Sequence, residues 1–135
     1  SPGFSVSYPK HYESIKPTLN EVLLIKHPMS STPQIGVYVE NQPENIQLQD
    51  IGQKYLFGLI EKYSKKTELV YSQRAVLNDG TFANETLFER VVNEELSLNT
   101  LILSTYHQDK LIYVATTSVV HPEALKEYLY SLKFH

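Results

Sequence analysis

The chain has 135 residues and a net charge of −3, from 12 basic and 15 acidic side chains. That length is enough for one domain to bury roughly two thirds of its unfolded surface, and the scattered signs form no basic stripe for a phosphate backbone, so residues 1–135 read as a single domain that does not bind nucleic acid. With no cysteine, disulfides, thiolate zinc sites and a cysteine nucleophile are all excluded.

Phe4 to Tyr8 alternates and stops at Pro9, which predicts a short strand with Phe4, Val6 and Tyr8 facing in. Lys10 to Asn20 is a polar connection with a helical turn expected around His11-Tyr12-Glu13. Glu21 to His27 reads as a strand apolar on both faces, Pro28 to Pro33 as a loop, Ile35 to Glu40 as a third strand and Asn41 to Asn45 as another loop. From Gln47 to Lys65 the period becomes helical. Leu48, Ile51, Tyr55, Leu59 and Tyr63, with Leu56 and Ile60 beside them, form an apolar stripe that needs a sheet to lie on, with Leu59 at its centre. Gly52 and Gly58 each cost about 1 kcal/mol against Ala there, and a close approach to the sheet explains them. Lys62, Lys65 and Lys66 suit the negative helix end.

Four strands follow with almost nothing between them: Glu68 to Leu77, Thr81 to Glu94, Leu96 to His107 and Lys110 to Val119. Asn78-Asp79-Gly80 is a strong hairpin signal, and Gln108-Asp109 a weaker one. A two-residue Asp79-Gly80 loop sets Arg74 opposite Glu85, and the opposite charges favour that register. The same parity collects Leu69, Tyr71, Leu77, Phe82, Phe88, Leu101, Leu103, Ile112 and Val114 on a covered face. Arg74, Glu85, Glu89, Thr100, Ser104 and Tyr113 fall on a mixed, partly open face with Val76, Leu87, Val91, Leu98, Ile102 and Ala115. His121-Pro122-Glu123 then starts a closing helix whose apolar face is Ala124, Leu125, Tyr128, Leu129 and Leu132. The elements together predict an α/β protein of the α+β type, a central antiparallel sheet flanked by helices.

No chemistry announces itself. The histidines His11, His27, His107, His121 and His135 share no ligand spacing, the five glycines form no phosphate loop, and no serine sits in a GxSxG elbow. Glu85 and Glu89 stand about 13 Å apart along a strand, too far for a glycosidase pair. Asn84-Glu85-Thr86 matches the glycosylation sequon, but it falls in mid-strand and reads as chance. The residues Arg74, Glu85, Glu89, Ser104 and Tyr113 read either as a solvated strand face or as a polar row that meets a partner. Tyr12, with no periodicity to bury it, is either a staple over the sheet edge or a contact residue. No apolar run approaches the ~20 residues a spanning helix needs. The opening Ser1-Pro2-Gly3 carries no Met, which leaves room for a removed export signal.

Gly3-Phe4-Ser5-Val6-Ser7-Tyr8-Pro9-Lys10-His11-Tyr12 is similar to the opening of PsbP-like proteins, where Gly-Phe-x-x-x-Tyr-Pro is followed by an aromatic residue, usually Trp and here Tyr12. The resemblance continues through the mid-chain helix, the meander with Tyr113-Val114-Ala115, and the closing Leu132-Lys133-Phe134. It implies the fold shared by the photosystem extrinsic subunit and a Ran-binding nuclear import factor: an α/β/α sandwich around an antiparallel sheet. It also implies a non-enzymatic protein-binding or scaffolding module without cofactor or metal, extracytoplasmic, and tied to a membrane only through a removed N-terminal lipid anchor. The missing Trp argues against a photosynthetic role. The alternative is a small-molecule carrier or hydrolase with a pocket between sheet and helix, which a deep closed cavity containing Arg74 or His27 favours.

Overall fold

The computed structural model describes residues 3–17, 21–29, 34–62, 66–118 and 122–135. The expected helix end at Tyr63 and Lys65, the His121 cap, the strand end at Val119 and loop residues 30–33 lie outside them. Its frame is a seven-stranded antiparallel sheet in the order β2-β3-β4-β8-β7-β6-β5. The strands are β2 (Glu13–Ile15), β3 (Glu21–Lys26), β4 (Ile35–Asn41), β5 (Thr67–Val76), β6 (Phe82–Asn93), β7 (Leu96–His107) and β8 (Lys110–Ser118). The four long strands of the predicted meander are all present. A separate two-stranded ribbon pairs β1 (Phe4–Ser5) with β9 (Lys133–Phe134), setting Phe4 opposite Phe134.

The Gln108-Asp109 turn forms where the sequence placed it. Gln108 and Asp109 both take positive φ, 50° and 64°, as a two-residue primed turn requires. The first turn differs. Leu77 donates to the Thr81 carbonyl at 2.9 Å, Gly80 has a φ of 91°, and the Thr81 N–H bonds Asp79 Oδ1 at 2.9 Å. Asn78, Asp79 and Gly80 therefore form a three-residue loop ending in a left-handed glycine. Val76 consequently faces Phe82, and Arg74 faces Asn84, not Glu85. At the far end of β6, a register shift between Val91 and Asn93 adds a second one-residue offset.

Because side chains alternate with a period of two, these two offsets turn the whole of β6 over relative to the sequence-based sorting. Arg74, Asn84, Ser104, Tyr113 and Tyr38 form one cross-strand row. Glu85, Leu87, Glu89 and Val91 point to the other side, whereas Phe82 and Phe88 share the face of Arg74. A further shift between Leu69 and Tyr71 carries Leu69 to that face as well.

Both faces are covered. On the Arg74 face lies the mid-chain segment, expected as one helix but built from a 3-10 turn at Leu48–Asp50, a π turn at Gly52–Leu56 and α1 (Phe57–Glu61). Ile51 and Leu56, five residues apart, are both buried against Phe88, Ile102 and Leu111. A regular α-helix would splay positions five apart, whereas the wider π turn brings them onto one side. Leu59, expected at the centre of this contact, is only half-buried. On the other face, α2 (Lys126–Leu129) follows a 3-10 turn at Pro122–Leu125 and buries Leu129 and Leu132 with Leu77, Leu101, Leu103 and Val114. The expected helical layers thus shrink to short segments on a sheet-dominated fold.

Gly52 is where the helical backbone meets the sheet: an added Cβ would lie 2.5 Å from Thr86 Oγ1 and 2.7 Å from Ser72 Oγ, whereas one at Gly58 would meet nothing within 4 Å. The expected close approach therefore holds for Gly52 alone. Gly52→Ala is expected to destabilise by about 1–3 kcal/mol through overpacking, and Gly58→Ala to stabilise by about 0.5–1 kcal/mol, both read from urea denaturation.

Candidate functional site

The polar row expected to meet a partner is divided by the turn-over of β6. Ser104 is fully buried on the Arg74 face under the mid-chain segment. There Asn84 occupies the place expected of Glu85. Its Nδ2 donates to Ser72 Oγ at 3.0 Å and to the Gln49 carbonyl at 3.3 Å, and Thr86 Oγ1 donates to Asn84 Oδ1 at 2.5 Å. These bonds tie the 3-10 turn to the sheet. With Asn84 at 0% exposure, the sequon is closed to any modifying enzyme in the folded protein. Ser104 Oγ has no hydrogen-bond partner among the described residues.

Glu85 is buried on the opposite face, at 1% exposure. The hydroxyls of Tyr71 and Tyr130 both donate to its carboxylate, and Lys126 Nζ lies 3.1 Å away. β5 supplies one partner, and the end of the chain supplies the other two. Burial pushes the Glu85 pKa up, but the bonds from Tyr130, Tyr71 and Lys126 together outweigh it and hold the group below its ordinary range. The same contact, after burial, raises the Tyr130 phenol. Neither Glu85 nor Ser104 is accessible to a partner in this structure. Glu89 is half-buried on the Glu85 face, directly opposite Glu68 and Asn99.

Tyr113 is half-buried and stacks on Tyr38 with ring centres 4.8 Å apart. Burial first, then the Glu40 carboxylate, with Tyr38 and Tyr55 beyond it, raise the Tyr113 phenol. Tyr55 bonds Glu40 Oε1 at 2.8 Å, and burial and Glu40 push its phenol up to about 12. Tyr12 is half-buried against the hydrophobic core and makes edge contacts with His11 at 5.0 Å and His27 at 5.2 Å. It has the geometry of a staple. No group of three metal-ligating side chains occurs among the described residues, and no helix there is long and apolar enough to cross a membrane.

Arg74 alone of the expected row is exposed. Its Nη2 donates to Gln49 Oε1 at 2.7 Å. It borders an open groove of about 340 Å³ between the Gln47–Gln49 turn and the start of β6. Phe82, 77% exposed, lines this groove, and its cross-strand partner Val76 is 52% exposed. Sequence reasoning missed this pair because it assigned Phe82 to the covered face. The neighbouring turn offered no contrary signal, since Asn78-Asp79-Gly80 accommodates loops of either length.

No protein-family model matches the chain, and no curated protein sequence does. Solved structures do. The cyanobacterial PsbP of Synechocystis aligns over 98% of this chain and 87% of its own at 15% identity, with a TM-score of 0.72. The Ran-binding protein Mog1p of Saccharomyces cerevisiae aligns over 98% and 86% at 12% identity, with a TM-score of 0.57. A protein of Bacteroides thetaiotaomicron aligns over all of this chain but 47% of its own at 13% identity, with a TM-score of 0.56. At such identities the likeness establishes the fold alone, which is PsbP-like as the resemblance implied, whereas the implied α/β/α layering is reduced to short helical segments on the sheet.

The Glu85 cluster has a pH signature. A carboxyl whose folded pKa lies below its ordinary 4.5 adds stability that is complete above the unfolded value and is lost as pH falls through the folded one. Urea midpoints measured from neutral pH into acid are therefore expected to fall more steeply for the native protein than for Glu85→Gln. Parallel curves would assign the acid sensitivity to other groups.

Proposed function

We infer that this chain, with its PsbP-like fold, is a protein-binding module whose contact surface is the open end of the β5–β6 hairpin. The observation that carries it is the exposed Val76–Phe82 pair beside Arg74. An aromatic ring and an arginine ringed by polar side chains, here Gln47 and Gln49, have the make-up of an interface centre, where such residues supply most of the binding energy. The neighbour named as Ran-binding supports the idea that this scaffold can present a protein-binding surface. Of the residues expected from sequence, Arg74 remains in the proposed surface, and Glu89 and Tyr113 remain outside it.

A non-catalytic role belongs to the same proposal and rests on the absence of catalytic spacings in the sequence. The extracytoplasmic, secreted or lipid-anchored location rests on the resemblance, and fractionation of the native cells tests it: recovery only from the cytoplasm removes it. A carrier role has separate support in a cleft between the mid-chain segment and the sheet.

Capture from a native extract with the immobilised protein tests the surface. Phe82→Ser and Arg74→Glu are each expected to weaken retention of the same protein roughly tenfold or more, with melting temperatures close to that of the unaltered chain. Undiminished retention by both variants would place the contact surface elsewhere.

A further inference from the structure

We propose that the cleft between α1 and the sheet binds a small monocarboxylate with an apolar body, held at its charged end by Arg90. The cleft measures about 250 Å³ and runs diagonally over the sheet, from Tyr38 and Tyr113 on β4 and β8 to Arg90 on β6. It is distinct from the Phe82 groove, with which it shares no lining residue. Ile102 and Ala115 form its floor, and Leu56, Leu59 and Ile60 its opposite wall. This volume lies below the ~300 Å³ at which pockets for drug-sized ligands begin, so it suits a small molecule with an aliphatic chain or a single ring.

The two ends differ in charge. At the tyrosine end, the Glu40 carboxylate lies beside Tyr55 and Tyr113, and its Oε2 is buried without a hydrogen-bond partner among the described residues. An anion is repelled there. At the other end, Arg90 is half-buried, its Nε has no hydrogen-bond partner among the described residues, and none of the ion pairs among those residues involves it. A buried donor left unpaired carries a cost that a ligand accepting from the guanidinium offsets. The planar guanidinium fork matches a carboxylate in two parallel bonds. A phosphate would bring more than one negative charge against a single cation and an apolar wall, whereas a monocarboxylate balances one charge with one. The hydroxyls of Thr100 and Thr117, 3.0 Å apart, line the same cleft and can turn toward the ligand oxygens.

Phenylacetate and hexanoate are suitable probes, each compared with its neutral amide. Titration of the isotope-labelled protein is expected to give saturable shifts of the Leu56, Leu59 and Ile102 methyl signals with both acids. Phenylacetamide and hexanamide are expected to bind about tenfold more weakly or worse, and Arg90→Gln to lose a similar factor for the acids. Absence of saturable shifts with either acid, amides binding as well as acids, or full affinity in a folded Arg90→Gln variant would each overturn the proposal. Should that variant fail to fold, the comparison of acid with amide on the unaltered protein decides alone. Phe82→Ser is expected to leave these titrations unchanged, so loss of the protein-binding surface and loss of this site are separately visible.

Discussion

A carboxylate with almost no exposure holds this structure in one arrangement. Glu85 lies buried on β6, one strand in from the sheet edge, where an unpaired charge would be intolerable. It is accommodated because β5 supplies the Tyr71 hydroxyl while Tyr130 and Lys126 arrive from the end of the chain. Apolar contacts around Leu129 and Leu132 would tolerate some sliding of a four-residue helix, but three directed bonds to one carboxylate do not. The contact therefore fixes the terminal helix on the sheet as well as holding it there. The hairpin loop belongs to the same corner, since the Asn78 N–H bonds the Tyr130 carbonyl at 3.1 Å.

That corner also explains what the sequence could and could not convey. Strand positions along the meander, the Gln108-Asp109 turn and the covered face of β7 and β8 all follow from local patterns that the fold leaves intact. The side to which β6 points does not, because it depends on Asn78 joining the hairpin loop and on one irregularity between Val91 and Asn93. The expected Arg74–Glu85 attraction does not form, and Glu85 is instead held by Tyr130 and Lys126, which are remote in sequence and lie in no window around it. Arg74, released from that pairing, turns to Gln49. Of the expected polar row Glu85 and Ser104 are buried, Glu89 and Tyr113 are half-buried, and the exposed Arg74 stands beside an exposed aromatic residue, Phe82.

The two sheet faces divide their polar groups differently. On the Arg74 face Ser72, Asn84 and Thr86 bond one another and the mid-chain backbone, so a patch of polar side chains acts as the seat of the Gly52 approach. A short polar ladder needs less height than aliphatic side chains, which lets the helical backbone descend there and leaves more room over Ile102 and Ala115, where the cleft lies. On the Glu85 face Tyr71, Tyr130 and Lys126 gather on one charge beside an apolar cluster that includes Leu77, Leu101, Leu103, Leu129 and Leu132. One face is thus organised by backbone proximity, and the other by a buried ion.

The register shift between Leu69 and Tyr71 acts beyond the sorting of side chains. Among the described residues β5 pairs only with β6, so this ten-residue strand forms an edge of the sheet. A flat rim of that length would template polymerisation of the folded protein through further strands. The offset beside Val70 bends the rim out of plane and limits any straight run to Tyr71–Val76, in the middle of which Arg74 places a charge. The bulge between Leu69 and Tyr71 therefore works against strand-by-strand self-association along this edge.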